Sequence, residues 1–141
     1  MKNILALLLG VAVLSGCDPD LPDDTVVKVV DGDTVDLADG ERVRLAGIDT
    51  PERGQCGFDV ASQRMEELVL GKAVNVVITD DPDRYGRLIA YVEVDGFDVG
   101  EQMLLDGLAI ARYDSRDGYG EHPREQIYIA ADEATPNPCG G

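Results

Sequence analysis

Three short stretches of the chain carry the side chains capable of chemistry. Asp31-Gly32-Asp33-Thr34 closes a β-rich run. Arg44-Leu45-Ala46-Gly47-Ile48-Asp49-Thr50-Pro51-Glu52 takes an arginine into a carboxylate-rich loop, and Asp83-Arg84-Tyr85-Gly86-Arg87 leads into a later apolar run. Hard cations such as Ca²⁺ take carboxylate, carbonyl and water oxygens as ligands. Arginine presents a rigid fork of donors that matches phosphate, and a remaining carboxylate such as Glu52 can act on a water as base or orienter. These are the parts that phosphodiester hydrolysis requires, provided that Asp33 and Asp49 meet at one rim of the fold. Each stretch also has a plainer reading. Asp-Gly is a common tight-hairpin signal, and Thr50-Pro51-Glu52 and Tyr85-Gly86 read as turns. An EF-hand does not fit Asp31-x-Asp33, because Val35 occupies the next ligand position and Asp36 stands where the glycine belongs.

The elements that must position these groups follow from periodicity. β-branched residues and turn signals predict strands over 25–30, 34–37, 42–48, 73–78 and 87–94. Ala61, Met65, Leu68 and Val69 fall at helical spacing between Val60 and Leu70, with Gly71 as the stop. A second helix is expected at about Val99–Leu105, a short extended piece over 108–112, and a third helix over 124–133. The order β-β-β-α-β-β with helices following points to an α+β domain built on a closed or partly closed antiparallel barrel.

With 141 residues and 44% apolar content the chain fits one globular core. Its net charge is −16, and only three of the twelve cations are Lys. A protein that held nucleic acid over its whole surface would be basic. Either this chain binds no polyanion, or it does so at a local cationic site within an acidic exterior. Such a surface also suits salty surroundings, where repulsion is screened. At the start, Lys2 precedes an apolar run over 4–14 that reaches only ~16 Å as a helix, too short for a bilayer core of ~30 Å. It reads as a secretory signal. Leu14-Ser15-Gly16-Cys17 resembles the lipobox of bacterial lipoproteins, an ordinary signal peptide being the other reading. The expected organisation is therefore a lipoprotein signal peptide over 1–16, an acidic tether over 17–24 and the domain over 25–141. Export and lipid anchoring to the cell-envelope membrane through Cys17 follow from it. Cys56 and Cys139 are then the remaining pair, and an exported chain lives where disulfides persist. Their bridge would stabilise the fold by ~2–4 kcal/mol.

The order and spacing of the motifs resemble the staphylococcal nuclease (thermonuclease, micrococcal nuclease) family. The resemblance rests on Val-Val-Asp-Gly-Asp-Thr-Val (29–35), Val-Arg-Leu-Ala-Gly-Ile-Asp-Thr-Pro-Glu (43–52), Asp-Arg-Tyr-Gly-Arg-Leu-Ile-Ala-Tyr-Val (83–92) and Leu-Leu-Asp-Gly-Leu-Ala (104–109) ahead of Tyr113. It implies a five-stranded OB-type β-barrel with three α-helices and a monomeric, Ca²⁺-dependent nuclease. Such an enzyme hydrolyses DNA and/or RNA at the 5′ side of the phosphate to leave 3′-phosphate ends. By the same resemblance Asp33 and Asp49 are the calcium carboxylates, and Thr50 supplies a backbone carbonyl. Glu52 is the general base or orienter of water, and Arg44 and Arg87 hold the scissile phosphate. Tyr85 and Tyr113 line the nucleotide with Arg84 beside them, and Asp31 stands near the metal without being a ligand. Three departures stand out: the segment 53–59 is shorter than the family's basic mobile loop and carries Cys56, Pro-Asn-Pro-Cys-Gly-Gly replaces an apolar, Trp-containing tail, and the surface is acidic. The alternatives are a catalytically inactive OB-fold module that binds single-stranded nucleic acid and an anchored protein that only binds calcium.

Overall fold

The computed structural model describes residues 20–139; the expected signal segment 1–16 and Cys17 lie outside the described residues. Strands β1 (Val26–Asp31), β2 (Thr34–Leu37) and β3 (Arg42–Leu45) form an antiparallel meander in which Val35 pairs with Val29 on one side and Val43 on the other. Val35, Val43 and Leu45 point inward and are buried, so the alternate residues Asp36, Arg42 and Arg44 face outward. A two-residue strand β4 (Ile48–Asp49) and helix α1 (Phe58–Val69) follow. The helix buries Ala61, Met65, Leu68 and Val69, the stripe that the helical spacing predicts.

Strand β5 (Asn75–Asp80) pairs antiparallel with β6 (Leu88–Val94), and β6 lies against β3. The sheet runs β1-β2-β3-β6-β5. It closes where Thr25 bridges Ala73 and the Val26 amide donates to the Lys72 carbonyl at 2.9 Å. The five main strands, the barrel and helix α1 are those expected, as are the two later helices over Val99–Leu105 and Glu125–Ala134. The pairing is not uniformly antiparallel, however, because β3 and β6 run parallel. The chain leaves β3, passes through α1 and β5, and turns by the β5–β6 hairpin, which brings β6 in along the direction of β3.

The third strand also ends earlier than its apolar pattern predicts. Gly47 takes φ 75°, and a Cβ there would meet Cε1 and Nε2 of His122 at 2.9 Å. The chain bends at this glycine, and β4 pairs instead with β8 (Ile110–Ala111), Asp49 opposite Ile110. Between them, β7 (Phe97–Asp98) pairs with the end of β6, and Asp98 caps helix α2 (Val99–Leu105) by accepting from the Glu101 amide. A 3₁₀ turn at Ser115–Asp117 precedes helix α3 (Glu125–Ala134), which packs on α2. Tyr128 and Arg124 fasten α3 through Asp98, and Arg124 reaches Glu93 as well. The expected tether does not stay free to its end: the carbonyls of Pro22, Asp23 and Asp24 accept from Thr25, Asp39 and Val74. Among the described residues no helix is long and apolar enough to cross a membrane. Cys56 and Cys139 are joined in a disulfide with a Cα separation of 5.8 Å, tying the tail after α3 to the loop before α1.

Candidate active site

The tight turn between β1 and β2 delivers Asp33. Asp31 Oδ1 accepts from the Asp33 amide at 3.1 Å and so shapes the turn. Gly32 is required there, because a Cβ would stand 2.8 Å from Thr50 Oγ1 and 2.9 Å from the Ala61 side chain. This close approach places the buried Asp33 carboxylate under the loop that follows β4. Its Oδ1 accepts from Thr34 Oγ1, and its Oδ2 accepts from both the amide and the hydroxyl of Thr50, all at 3.0 Å. Burial and the neighbouring negative Asp33 raise the carboxyl of Asp31 to about 6.

Arg44 leaves β3 on the outer face and folds over the bend at Gly47. Its Nη1 donates to the carbonyls of Leu45 and Ile48 at 2.6 and 2.9 Å. Its Nη2 stands 3.3 Å from Asp33 Oδ2 and 3.5 Å from Asp49 Oδ1. These two carboxylate oxygens therefore lie no more than about 7 Å apart, and a cation of ligand distance ~2.3–2.6 Å serves both where their separation is ~5 Å or less. The other oxygen of Asp49 is 2.9 Å from Arg112 Nη1. With the Thr50 backbone beside them, the donors are all hard oxygens, which suits Ca²⁺ and leaves further positions for water and phosphate. Among the described residues no group of three or more His, Cys, Asp or Glu stands in metal-holding array. A cation here rests on two carboxylates, and the site can be completed only by carbonyl, water and substrate oxygens.

Arg87 sits apart from this group in hydrogen bonding but not in direction. Val43 pairs with Leu88 and Arg44 with Ile89 in the parallel ladder, so Arg87 faces the same side as Arg44, with Cα atoms about 8 Å apart from strand spacing and rise. Its Nε donates to Asp83 Oδ2 at 2.7 Å. Despite some desolvation, the hydrogen bonds from Arg87 and Tyr85 lower the Asp83 carboxyl below its ordinary value. Tyr85 is exposed, and the guanidinium carbons of Arg84 and Arg87 stand 4.9 and 5.4 Å from its ring centre. Tyr113 takes φ 58°, its amide donating to Asp117, and turns its ring to within 5.6 Å of Arg44 and 5.3 Å of Arg112. Glu52 is exposed on the loop beyond Thr50. Gln55 Oε1 accepts from its amide at 2.8 Å, and its carbonyl accepts from the Gln55 amide at 2.9 Å. A cleft of about 410 Å³ runs from Asp49 and Thr50 past Gln55 to the disulfide and Asn137.

The sequence reading missed Arg112 and the packing of His122 on Gly47. Arg112 lies 63 residues from Asp49 in the chain, and no local pattern marks it. The only hint is that it belongs to the extended piece that pairs with the Asp49 strand.

An OB-type barrel bearing an arginine between two carboxylates, with a second arginine on the same outer face, defines a class: the barrel nucleases. Comparison with known proteins agrees. Residues 42–137 match the family model described as staphylococcal nuclease homologue. The chain is 35% identical to a micrococcal nuclease of Shigella flexneri, over 95% of this chain and 84% of that one. It is 33% identical to an uncharacterised endonuclease of Haemophilus influenzae, over 92% of this chain and 71% of the relative. It is 40% identical to another of Escherichia coli O157:H7, where the match spans 57% of the relative's length. The chain belongs to the staphylococcal nuclease family and is a hydrolase of the nuclease class. Asp33 lies ahead of the matched residues, but its two bonds to Thr50 bring it into the same site.

Proposed function

We propose that this chain is a Ca²⁺-dependent nuclease that hydrolyses DNA and/or RNA at the 5′ side of the phosphate and leaves 3′-phosphate ends. The observation that supports it most is the position of Arg44 Nη2, 3.3 Å from Asp33 and 3.5 Å from Asp49. That placement puts a phosphate-binding fork directly beside two acids of hard-cation chemistry. Asp33, Asp49 and the Thr50 carbonyl would hold the ion. Bound there, Ca²⁺ supplies charge neutralisation and polarisation of a non-bridging phosphate oxygen.

The protein's own groups do the remainder. Arg44 and Arg87 face one side of the β3–β6 ladder and offer donors to the same phosphate, where they offset the charge that grows in the transition state. A guanidinium of pKa above ~12 is a poor proton donor, so their contribution is electrostatic. Glu52, exposed on its loop, is free to orient a water and accept its proton. Asp83 restrains Arg87, and Tyr85 offers a ring against which a nucleotide can stack.

The deciding experiment is digestion of single-stranded DNA, duplex DNA and RNA with Ca²⁺, Mg²⁺ or EGTA, for the intact domain and Arg44→Ala. Cleavage with Ca²⁺, abolished by EGTA and reduced about a thousandfold or more in the variant, is the expected outcome. Cleavage that survives EGTA, or an unimpaired variant, overturns the reading. The proposal extends to the cell: a monomer exported and held at the envelope membrane by lipid on Cys17. The full-length protein should then partition into detergent and Cys17→Ala should not; equal partitioning removes the anchor.

A further inference from the structure

Arg112 is placed where it shares the Asp49 carboxylate with Arg44. Its amide donates to the Gly47 carbonyl at 3.0 Å, so it emerges from the same two-stranded ribbon as Asp49. Its Nη1 lies 2.9 Å from Asp49 Oδ2, while the opposite oxygen of that carboxylate faces Arg44 Nη2 at 3.5 Å. The two guanidinium groups differ in exposure: the side chain of Arg44 is 12% accessible and that of Arg112 is 50%. Arg44 is thus fixed among carbonyls and acids, whereas Arg112 lies on the open side, held by its ion pair with Asp49 and by the Tyr113 ring. The Tyr113 ring stands within 5.6 Å of the first and 5.3 Å of the second, so a strand passing over Tyr113 meets both cations. In a chain of net charge −16, attraction for a polyanion depends on such local cations.

We propose that Arg112 is a further phosphate-binding residue of the site, which neutralises Asp49 in the free protein and moves to a non-scissile phosphate of the polynucleotide when a divalent cation takes that carboxylate. The inference rests on the nuclease reading and deepens it by extending the substrate contact to a second phosphate. A positive group on one oxygen of Asp49 opposes cation binding at the same carboxylate. Once displaced, the long and half-exposed side chain keeps its donor fork within the site.

The test compares wild type, Arg112→Ala and Arg112→Lys in three measurements. Calorimetric titration with Ca²⁺ alone, without nucleic acid, should show Arg112→Ala binding about tenfold more tightly than wild type. In steady-state hydrolysis, Arg112→Ala should raise KM for an oligothymidylate about tenfold more than it raises KM for a substrate with a single phosphodiester. The dependence of log(1/KM) for the oligonucleotide on log salt should be shallower by about one phosphate contact, and Arg112→Lys should recover most of it. Unchanged or weaker Ca²⁺ affinity in Arg112→Ala overturns the inference. So does an equal rise in KM for the two substrates. If wild type hydrolyses neither substrate, the nuclease reading itself fails; if it hydrolyses both and the KM values rise alike, only the role of Arg112 fails.

Discussion

Asp33 Oδ2 accepts two hydrogen bonds from a single residue, Thr50, through its amide and its hydroxyl, each at 3.0 Å. This pair of hydrogen bonds between one turn and another loop fixes where the first acid stands relative to Asp49, the neighbour of Thr50. The carboxylate is buried and accepts from Thr34 and Thr50, with the Arg44 guanidinium beside it and the Asp31 carboxyl as an acidic neighbour. The position of this carboxylate is therefore set by the fold itself.

Substituting Asp33→Asn separates the structural from the ion-binding part of that arrangement. Wild type should gain about 2.7 kcal/mol of stability at a Ca²⁺ concentration a hundredfold above its dissociation constant. Asp33→Asn should lose most of this gain, and its stability in EGTA should fall by ~1–3 kcal/mol because amide hydrogens now face donors. Thermal melts of both proteins with Ca²⁺ and with EGTA check this. An equal calcium-induced shift in the two proteins would remove Asp33 from the ligand set.

Gly32 offers a test of the close approach. An added methyl would stand 2.8 Å from Thr50 Oγ1 and 2.9 Å from the Ala61 Cβ. Gly32→Ala should destabilise by ~1–3 kcal/mol through overpacking. Adding Ala61→Gly should recover part of the loss, since it opens one of the contacts. Urea midpoints of the two single variants and the pair decide it; strict additivity would mean that the turn relaxes away from α1.

Which parts of this architecture were readable in advance depends on how local their cause is. The stripe Ala61, Met65, Leu68, Val69 and the helix Val99–Leu105 were legible because helical periodicity is written into adjacent turns. The five main strands followed from β-branched runs between turn residues. The end of β3 at Leu45 was not, since Leu45 to Ile48 continues an apolar run; what breaks it is the ring of His122, distant in sequence, packed on Gly47. The parallel pairing of β3 with β6 is a property of chain path, not of residue type. At the site, Asp33, Arg44 and Asp49 were candidates by residue type, and only the resemblance gave them roles; the structure brings the three side chains together. Arg112 was not a candidate, because its meaning comes only from the pairing of β4 with β8.

The Cys56–Cys139 bridge joins the tail after α3 to the loop that carries Glu52. Because the two cysteines are 83 residues apart in the chain, cross-linking them restricts the unfolded state strongly. Reduction, or Cys139→Ser, should lower stability by about 2–4 kcal/mol. Activity should fall severalfold as well, since the turn that holds Glu52 through Gln55 adjoins Cys56. Melting curves and single-turnover rates with and without reductant test both parts; an unchanged melting temperature would mean that the tail is held by its other contacts.

His122 makes the acid stability of the fold predictable in sign. Its Nδ1 is hydrogen-bonded to the Tyr91 hydroxyl at 2.6 Å, and the oxygen of that hydroxyl also accepts from the Arg124 amide at 3.3 Å. The ring is packed among Tyr91, Tyr128 and Gly47, and its Nε2 is buried with no hydrogen-bond partner among the described residues. Burial lowers its pKa below 6.5, although the negative charges of Glu125, Asp114 and Asp80 oppose the shift. The unfolded chain therefore binds a proton more readily than the folded one. The stabilising contribution is complete above pH ~6.5 and is lost as pH falls through the lower pKa of the folded state, after which it levels off. His122→Phe keeps a ring against Gly47 but neither titrates nor hydrogen-bonds to Tyr91, so it should cost ~1–2 kcal/mol at pH 7. The same variant should show a shallower loss of stability between about pH 6.5 and 5. Urea unfolding midpoints across this range, in both proteins, provide the comparison. Parallel acid limbs would show that other groups carry the pH dependence, because only a titrating imidazole can make the two curves converge.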